Sequence, residues 1–439
     1  MNNQAIIFVI FNVIAILFLP RRWAASPLLI GACYMTLGQG LNIGPFTFTV
    51  IRIIVAAGVL RILIKRERFE GPLLGIDKIM VAWAIWAILS SYFHSSDNVN
   101  PLVFRLGLVY NICGVYFLLR IFCISEKDII NLIKMIAFLL APIAIEMLVE
   151  KTQQHNLFSF FGGVPESPDI RKGSIRAQGP FAHAILAGTV GATCLPLMFG
   201  IWRKNPIVAK VGCASCIIMI IACASSGPIL SSMTALGALC MWKYHGKMYI
   251  VRRAAVSAYL FLLIIMEAPP YFLMARIDLA GGSTGWHRAE LIRSSLEHLP
   301  EWWLAGTDFT RHWMPTGVSW NPDHTDITNY YLQMGVWGGL PLMFLFIWIL
   351  IKGFSYISVT MKSNTNHHPE DSFLAWSIGS SLFAHAATSI SVSYFDQSFL
   401  FIYLILAGIS TLLSVKEKLK KDNAQKAHGN EIYGRTFSN

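Results

Sequence analysis

The chain has 439 residues, of which 55% are hydrophobic and only 13% are charged. Soluble domains carry about a quarter of charged residues, so this composition excludes an ordinary soluble fold and favours a protein of membrane-spanning helices. The net charge of +11 does not indicate nucleic-acid binding, because the basic residues lie in short segments between apolar runs and form no continuous patch.

Apolar segments follow one another along the whole chain, and each is expected to form a helix. The thirteen segments cover residues 5–19, 27–43, 47–64, 78–93, 103–123, 130–149, 181–201, 207–224, 226–242, 254–274, 328–352, 372–392 and 396–414. We therefore predict an all-α fold, a polytopic transmembrane bundle of about 12–13 spans. A single membrane domain would cover residues 1–414, and a basic, disordered cytoplasmic tail would cover residues 415–439.

The positions of Lys and Arg predict how the bundle is oriented, because cytoplasmic connections are enriched in these residues. Basic clusters occur at Arg21-Arg22, at residues 65–68 and in the tail, whereas the alternate connections at 40–46 and 94–102 contain no Lys or Arg. The alternation predicts an N-terminus outside and a C-terminus inside.

Two predicted outer loops contain basic residues in spite of this pattern. Loop 150–180 and loop 275–327 contain Lys151, Arg171, Lys172, Arg176, Arg276, Arg288, Arg293 and Arg311. Long loops escape the positive-inside rule, but the charges still need a reason, and an anionic ligand at the outer face would be one.

Within the second loop, apolar residues recur at helical spacing over residues 284–299. They predict an amphipathic helix on the outer leaflet, with its arginines facing a cleft. Its apolar face would comprise Trp286, Leu291, Ile292, Leu296 and Leu299. Trp302 and Trp303 follow, and we expect them to anchor the loop at the membrane interface.

His324 lies between Asp323 and Asp326, where this loop meets an apolar segment. One interpretation is a simple helix start, since Asp favours N-caps. The other is a general base, because a neutral histidine held in one tautomer by a carboxylate can take a proton from a sugar hydroxyl. We predict no metal at His324, since no His-x-x-x-His or Glu-x-x-His pattern includes it. Gly335 and Gly338 follow, and we expect them to share a helix face that a neighbouring helix approaches closely.

A second group of basic residues precedes the segment 181–201, in a glycine-containing turn that runs from Arg171 to His183. Arginine binds phosphate oxygens through a planar fork, but an ordinary surface turn explains the same charges, and His183 is equally explained as a structural residue. Arg52 and Arg105 lie at the outer ends of apolar segments, where charge is usually functional. For Arg52, extension of the side chain to the headgroups is the alternative.

Three stretches resemble the O-antigen ligase/polymerase superfamily of bacterial envelope glycosyltransferases. They are residues 285–288 with 298–306, His324 with the glycines at 335 and 338, and residues 176–183. Thr325 and residues 225–228 depart from that superfamily's pattern.

The resemblance implies a glycosyltransferase-C-like bundle in the bacterial inner membrane, with its active site facing the periplasm or exterior. It implies inverting transfer of a glycan from an undecaprenyl-diphosphate carrier, with no metal and no cofactor. His324 would be the catalytic base. Diphosphate-binding residues would be Arg288, Arg176 and Arg52, supported by Asp323, Asp326, His183 and Arg293. The partners would be the undecaprenyl-diphosphate-linked oligosaccharide, the lipid bilayer, and other polysaccharide assembly and chain-length control proteins.

The resemblance of residues 176–183 to the turn found in this superfamily's polymerases favours a polymerase of exopolysaccharide or O-antigen repeat units over a ligase that transfers the glycan to lipid A core. The alternative of another class is a transporter or a flippase of lipid-linked glycans. Such a protein is expected to place ionisable residues at mid-membrane, and the apolar segments nearly lack acidic residues at that depth.

Overall fold

The computed structural model describes residues 1–36, 38–95, 100–277, 285–319, 321–364 and 369–436. In these ranges the chain is mostly helical, and every predicted apolar segment contains a helix. Among the described residues, six helices are long and apolar enough to cross a membrane: Gly75–Phe93, Pro101–Phe122, Glu126–Gln153, Ser226–Ile265, Tyr330–Lys362 and Phe399–Lys418. This agrees with the predicted class, a helical membrane protein, while the predicted number of spans and their orientation remain predictions.

The helices are α1 (Asn3–Phe18), α2 (Ser26–Tyr34), α3 (Val50–Lys65), α4 (Gly75–Ser90), α5 (Pro101–Phe122), α6 (Glu126–Gln153), α7 (Ala184–Gly200), α8 (Pro206–Ala222), α9 (Ser226–Cys240), α10 (Met248–Ile265), α11 (Gly285–Glu297), α12 (Leu299–Trp302), α13 (Tyr330–Asn364), α14 (Pro369–Thr388) and α15 (Phe399–Thr436). The strands β1 (Gly40–Ile43) and β2 (Phe46–Thr49) form one antiparallel hairpin, and β3 (Asp169–Arg171) and β4 (Ser174–Arg176) form another. Residues 415–436 of the tail predicted to be disordered continue α15 as a helix, in line with their Lys, Glu and Ala content, and residues 437–439 lie outside the described residues.

Helix α7 lies at the centre of the bundle and packs against α8, α9 and α14. Its small residues allow this, because a side chain on Gly191 would meet the Cys216 carbonyl oxygen at 2.8 Å and one on Gly188 would meet Pro228 at 2.7 Å. Small residues let helices approach closely where lipid supplies no hydrophobic driving force.

Segments predicted for the same side of the membrane meet at the same end of the bundle. At one end, Asn2 Nδ2 donates to the Phe161 carbonyl oxygen at 2.9 Å. At the other, Arg21 Nε donates to the Ile121 carbonyl oxygen at 3.0 Å, and Lys418 lies 3.3 Å from Glu70. The end that contains the N-terminus also contains both long loops, and we call it the loop end.

Helix α13 is interrupted at Gly338 and Gly339, and Gly339 has a φ of +72°. The outer loop packs onto this break: Thr307 N donates to the Val336 carbonyl oxygen at 3.0 Å, and Leu340 N donates to that of Trp303 at 2.8 Å. The prediction of one continuous glycine face against a neighbouring helix is therefore wrong. These glycines instead admit the backbone of the loop, which bonds both the Val336 carbonyl group and the Leu340 N–H group that the break exposes.

Helix α11 confirms the predicted amphipathic helix, but its buried face differs from the prediction. Leu291 is buried, whereas Trp286 and Leu296 are exposed. Trp302 is only 2% exposed and lies in a small core that the loop forms with α13. That core includes Leu291 and Trp313 from the loop and Val336 from α13. The prediction that Trp302 anchors the loop in the interface is wrong, because this core covers its ring.

Candidate functional site

A cavity of about 570 Å³ opens at the loop end of the bundle. Its walls are the end of α2, the N-terminal parts of α3, α5 and α13, residues 307, 308, 321 and 324–327 of the outer loop, and residues 393–397 and 399 at the connection from α14 to α15. Its polar lining includes Arg105, Asn111, Asp308, His324, Asp326, Gln333, Asp396 and Gln397. The volume lies within the usual range for small-molecule sites.

His324 is half-buried in the wall of this cavity. Its Nδ1 lies 3.3 Å from Thr310 Oγ1, which also accepts the Thr325 N–H at 3.1 Å. The loop around it is held by backbone bonds, since Thr310 N and Arg311 N both donate to the Asp323 carbonyl oxygen, at 2.9 and 3.0 Å. The hydrogen-bond partner at Nδ1 is thus a threonine hydroxyl, where we predicted a carboxylate.

Burial lowers the pKa of His324 below its usual value, and the charges of Asp308 and Asp323 oppose this shift. The imidazole is therefore neutral near pH 7. With Nδ1–H donating to Thr310 Oγ1, the lone pair of Nε2 is available as a base.

A buried chain of polar groups connects α5 to the loop beside His324. Arg105 Nη2 lies 3.1 Å from His94 Nε2, and His94 Nδ1 lies 2.6 Å from Asp308 Oδ1. Asp308 Oδ2 accepts the Ser95 N–H at 2.8 Å. Because an ionised carboxylate only accepts hydrogen bonds, Nδ1 of His94 is the nitrogen that carries a proton. Arg105 Nε has no hydrogen-bond partner among the described residues.

A second, electropositive group lies against the first turn of α9. Arg176 is buried and pairs with Asp169 at 2.8 Å across the β3–β4 hairpin. A side chain on Gly227 would lie 3.9 Å from Arg288 Nη2, which places that guanidinium beside the helix N-terminus. Within the described ranges, Nε of Arg176 and Nε of Arg288 both lack a hydrogen-bond partner.

His183 belongs to the same group as the N-cap of α7, where its Nδ1 accepts the Ile185 N–H at 3.1 Å. Burial, and then the positive charge of Arg176, lower the pKa of His183 to about 4. It is therefore a neutral residue with a structural role at the helix start, beside a concentration of positive charge.

Asp326 connects the cavity to the electropositive group. It lines the cavity, and its carboxylate interacts with the charges of His287 and Arg288. Burial raises the pKa of Asp326, and these two neighbours oppose the rise. The first turn of α11 is thus electrostatically coupled to the wall that contains His324.

The remaining predicted site residues lie outside the cavity wall. Arg52 Nε donates to Asn111 Oδ1 at 3.0 Å, and Asn111 lines the cavity. Arg293 is exposed and pairs with Glu297 at 2.9 Å one helical turn away. Arg293 therefore lies on the solvent face of α11. The carboxylate of Glu297, four residues further along the helix, accepts its hydrogen bond there.

Sequence reasoning missed His94, Asp308, Thr310 and the two glutamines of the cavity. Gln333 Oε1 and Gln397 Oε1 have no hydrogen-bond partner in the part of the chain that the structure describes. Buried amide oxygens of this kind are normally satisfied, and here they line a space that a polar ligand would fill. Asp396 lines the same space and accepts the Ala182 N–H at 2.9 Å.

Comparisons of the chain with models of known protein families and with curated protein sequences gave no match. Its function must therefore be inferred from the residues and the geometry of this site.

Proposed function

We propose that this protein is a metal-independent inverting glycosyltransferase, which polymerises undecaprenyl-diphosphate-linked repeat units of a cell-surface polysaccharide at the periplasmic face. One observation carries the proposal: a neutral His324 lines a cavity of about 570 Å³ together with Arg105 and Asp326. A base, a buried cation and unsatisfied amide oxygens in one polar cavity are suited to a sugar joined to a diphosphate. We also propose that the bundle is of the glycosyltransferase-C type.

In the proposed reaction His324 acts as general base. Its Nδ1–H donates to Thr310 Oγ1, and its Nε2 takes the proton from a hydroxyl group of the acceptor sugar. That oxygen attacks the anomeric carbon of the donor from the side opposite the diphosphate. The bond between this carbon and the diphosphate oxygen breaks, and its electron pair leaves with the diphosphate. A positioned base of this kind contributes about 10²–10⁴-fold to a rate.

Arginines that stabilise the departing diphosphate complete the proposal. The Arg288 guanidinium lies beside the N-terminus of α9, where the helix dipole also favours an anion, and the charge of Arg176 acts on Cys223, three residues before that helix. A buried donor without a partner costs about 1–3 kcal/mol, and Nε of Arg176, Arg288 and Arg105 lacks one among the described residues. Phosphate oxygens bound at these atoms would remove that cost, and Arg52 would support the wall through Asn111.

An apolar groove fits the lipid part of such a substrate. It has a volume of about 530 Å³ and lies between α4 and the broken helix α13, with Ala82, Trp86, Pro341 and Trp348 among its lining residues. Trp86 Nε1 donates to the Gly338 carbonyl oxygen at 2.7 Å, so the groove begins at the break on which the loop packs. A polyprenyl chain in this groove would leave its diphosphate at the loop end.

Two buried acids near helix ends, Asp77 and Glu150, do not favour a transporter. Asp77 is the third residue of α4 and accepts a hydrogen bond from Tyr116 at 2.6 Å. Glu150 is near the end of α6 and accepts the Gln178 and Gly179 N–H groups at 2.9 and 2.8 Å. Both carboxylates therefore satisfy local structure at helix ends, unlike the mid-membrane acids expected on a translocation pathway.

The proposal is tested by complementation with His324→Ala and His324→Gln in a strain that lacks this gene. The surface glycan, the lipid-linked intermediates and the membrane level of the protein are all measured. His155→Ala is the control, because the His155 side chain in the other long loop is 45% exposed and is not part of the cavity lining.

We expect both His324 variants to reach normal levels and to make no long-chain glycan, while the control restores it. Single repeat units left on the carrier would identify a polymerase. Complete polymer left on the carrier would instead identify a ligase, and normal glycan from both variants would refute the general base and favour a transporter.

A further inference from the structure

A group of potential metal ligands lies in the outer loop, apart from the cavity. One nitrogen of His298, one nitrogen of His312 and a carboxylate oxygen of Glu301 lie within 4.8 Å of one another. His298 and Glu301 are three residues apart at the α11–α12 junction, while His312 comes from the short helical turn that begins at Arg311. The group thus joins two parts of the loop that are distant in sequence.

The protonation of His298 suits it as a metal ligand. Its Nδ1 lies 2.8 Å from the Ser294 carbonyl oxygen, and a carbonyl can only accept, so Nδ1 carries the proton. Nε2 is left with its lone pair. Histidines that bind metals commonly donate their other N–H to a backbone carbonyl in this way, which sets both tautomer and ring orientation.

The carboxylate of Glu301 is also held in place by a hydrogen bond. Trp313 Nε1 donates to Glu301 Oε2 at 3.3 Å, and His312 Nε2 lies 2.9 Å from the same oxygen. A metal would take the place of the proton between His312 and Glu301. The His312 side chain is 35% exposed and the Glu301 side chain is 40% exposed, so an entering ion can reach both.

We propose that His298, Glu301 and His312 form a divalent metal site, with Zn²⁺ as the preferred ion. Two imidazole nitrogens and one carboxylate oxygen are a set that Zn²⁺ binds with a water molecule in the fourth position. Ligand atoms around tetrahedral Zn²⁺ lie ~3.3 Å apart, from bonds of about 2.0–2.1 Å, so the exposed side chains need to move by only about an ångström.

The role of this site is positional and goes beyond the proposed reaction, in which no metal takes part. His312 follows Arg311 and Thr310, whose N–H groups hold the Asp323 carbonyl oxygen, and Thr310 Oγ1 lies 3.3 Å from His324 Nδ1. An ion that joins His312 to α11 and α12 would stabilise the segment that orients His324.

The test uses the full-length protein in nanodiscs, purified through a tag that contains no histidine and treated with a chelator. Zn²⁺ alone is then titrated, with bound metal measured by mass spectrometry and thermal unfolding measured with and without Zn²⁺. The variants are His312→Gln and Glu301→Gln. His155→Gln serves as the matched control, because His155 is also an exposed loop histidine that pairs with a glutamate, Glu166, at 3.4 Å.

We expect one tightly bound Zn²⁺ per chain in the wild type and in the control, and binding weakened by more than about 10-fold in both site variants. Zn²⁺ should raise the unfolding temperature of the wild type and not that of the variants, whose metal-free unfolding temperatures should equal that of the metal-free wild type. The proposal is overturned if the wild type binds no Zn²⁺, or if both variants bind it as tightly as the control. Neither result depends on glycosyltransferase activity, so failure here and failure of the proposed function are separate outcomes.

Discussion

Replacement of Asp308 perturbs the contact that connects the outer loop to α5 and His324. The carboxylate accepts hydrogen bonds from His94 Nδ1 at 2.6 Å and from Ser95 N at 2.8 Å. In the Asp308→Asn variant only one side-chain oxygen is left to accept a hydrogen bond. The new amide nitrogen is itself a donor and faces one of the two N–H groups, so one of the two hydrogen bonds is lost. Hydrogen bonds to charged groups contribute about 1.5–3 kcal/mol each. Since the Asp308 side chain is 32% exposed, we take the lower half of that range, about 2 kcal/mol for the bond that is lost.

Hydrogen exchange measures this effect locally, at the amide of Thr307, which donates to the Val336 carbonyl oxygen. A loss of about 2 kcal/mol corresponds to roughly 30-fold faster exchange, since ~1.4 kcal/mol is a factor of ten. Glu166→Gln is the control, because the pair of Glu166 and His155 is exposed and long, at 3.4 Å. Such pairs contribute about 0–1 kcal/mol. Equal exchange at Thr307 in the two variants would refute the role of Asp308 as the loop's attachment.

Asp308→Asn also has a consequence for the pH dependence of activity. The charge of Asp308 raises the pKa of His324 against the effect of burial, so its removal lowers that pKa further. A base works only when it is unprotonated. The acidic limb of the rate profile should therefore move to lower pH, and a move to higher pH would contradict the electrostatic coupling.

Three more predictions concern the binding of the donor and the pH dependence of the base. Arg288→Lys keeps the charge but loses the planar fork, so the KM for lipid-linked donor should rise about 10-fold, while Arg293→Lys on the exposed face of the same helix should leave it unchanged. In the wild type, activity should stay level from pH 8 down to ~6.5 and fall only below that, because burial lowers the pKa of His324; a decline that begins above pH 7 would contradict its role as base. Ala82→Trp fills the apolar groove and should raise the KM for donors with long polyprenyl chains more than for short ones. Val81→Trp, on the neighbouring exposed position of α4, should not discriminate between them.

The sequence by itself determined the class of the protein and the order of its helices. Apolar runs and basic connections are local properties, because each helix satisfies its own backbone hydrogen bonds within one continuous segment. For the same reason residues 284–299 could be recognised as a helix from spacing alone, and His324 could be identified at the boundary between a polar loop and an apolar segment.

Only the tertiary structure decided which side chains share the cavity. His94 and Asp308 are 214 residues apart in sequence and 2.6 Å apart in space, and no spacing rule connects them. The break at Gly338 and Gly339 likewise depends on the outer loop. The loop backbone donates to the Val336 carbonyl oxygen and accepts the Leu340 N–H, two groups that an unbroken helix would satisfy internally. Burial of Trp302 overturned the prediction of an interfacial anchor, because its ring lies in a core that the outer loop forms with α13. Local pattern sets where a helix begins and ends, whereas the chemistry of the site depends on contacts between helices and loops that only packing brings together.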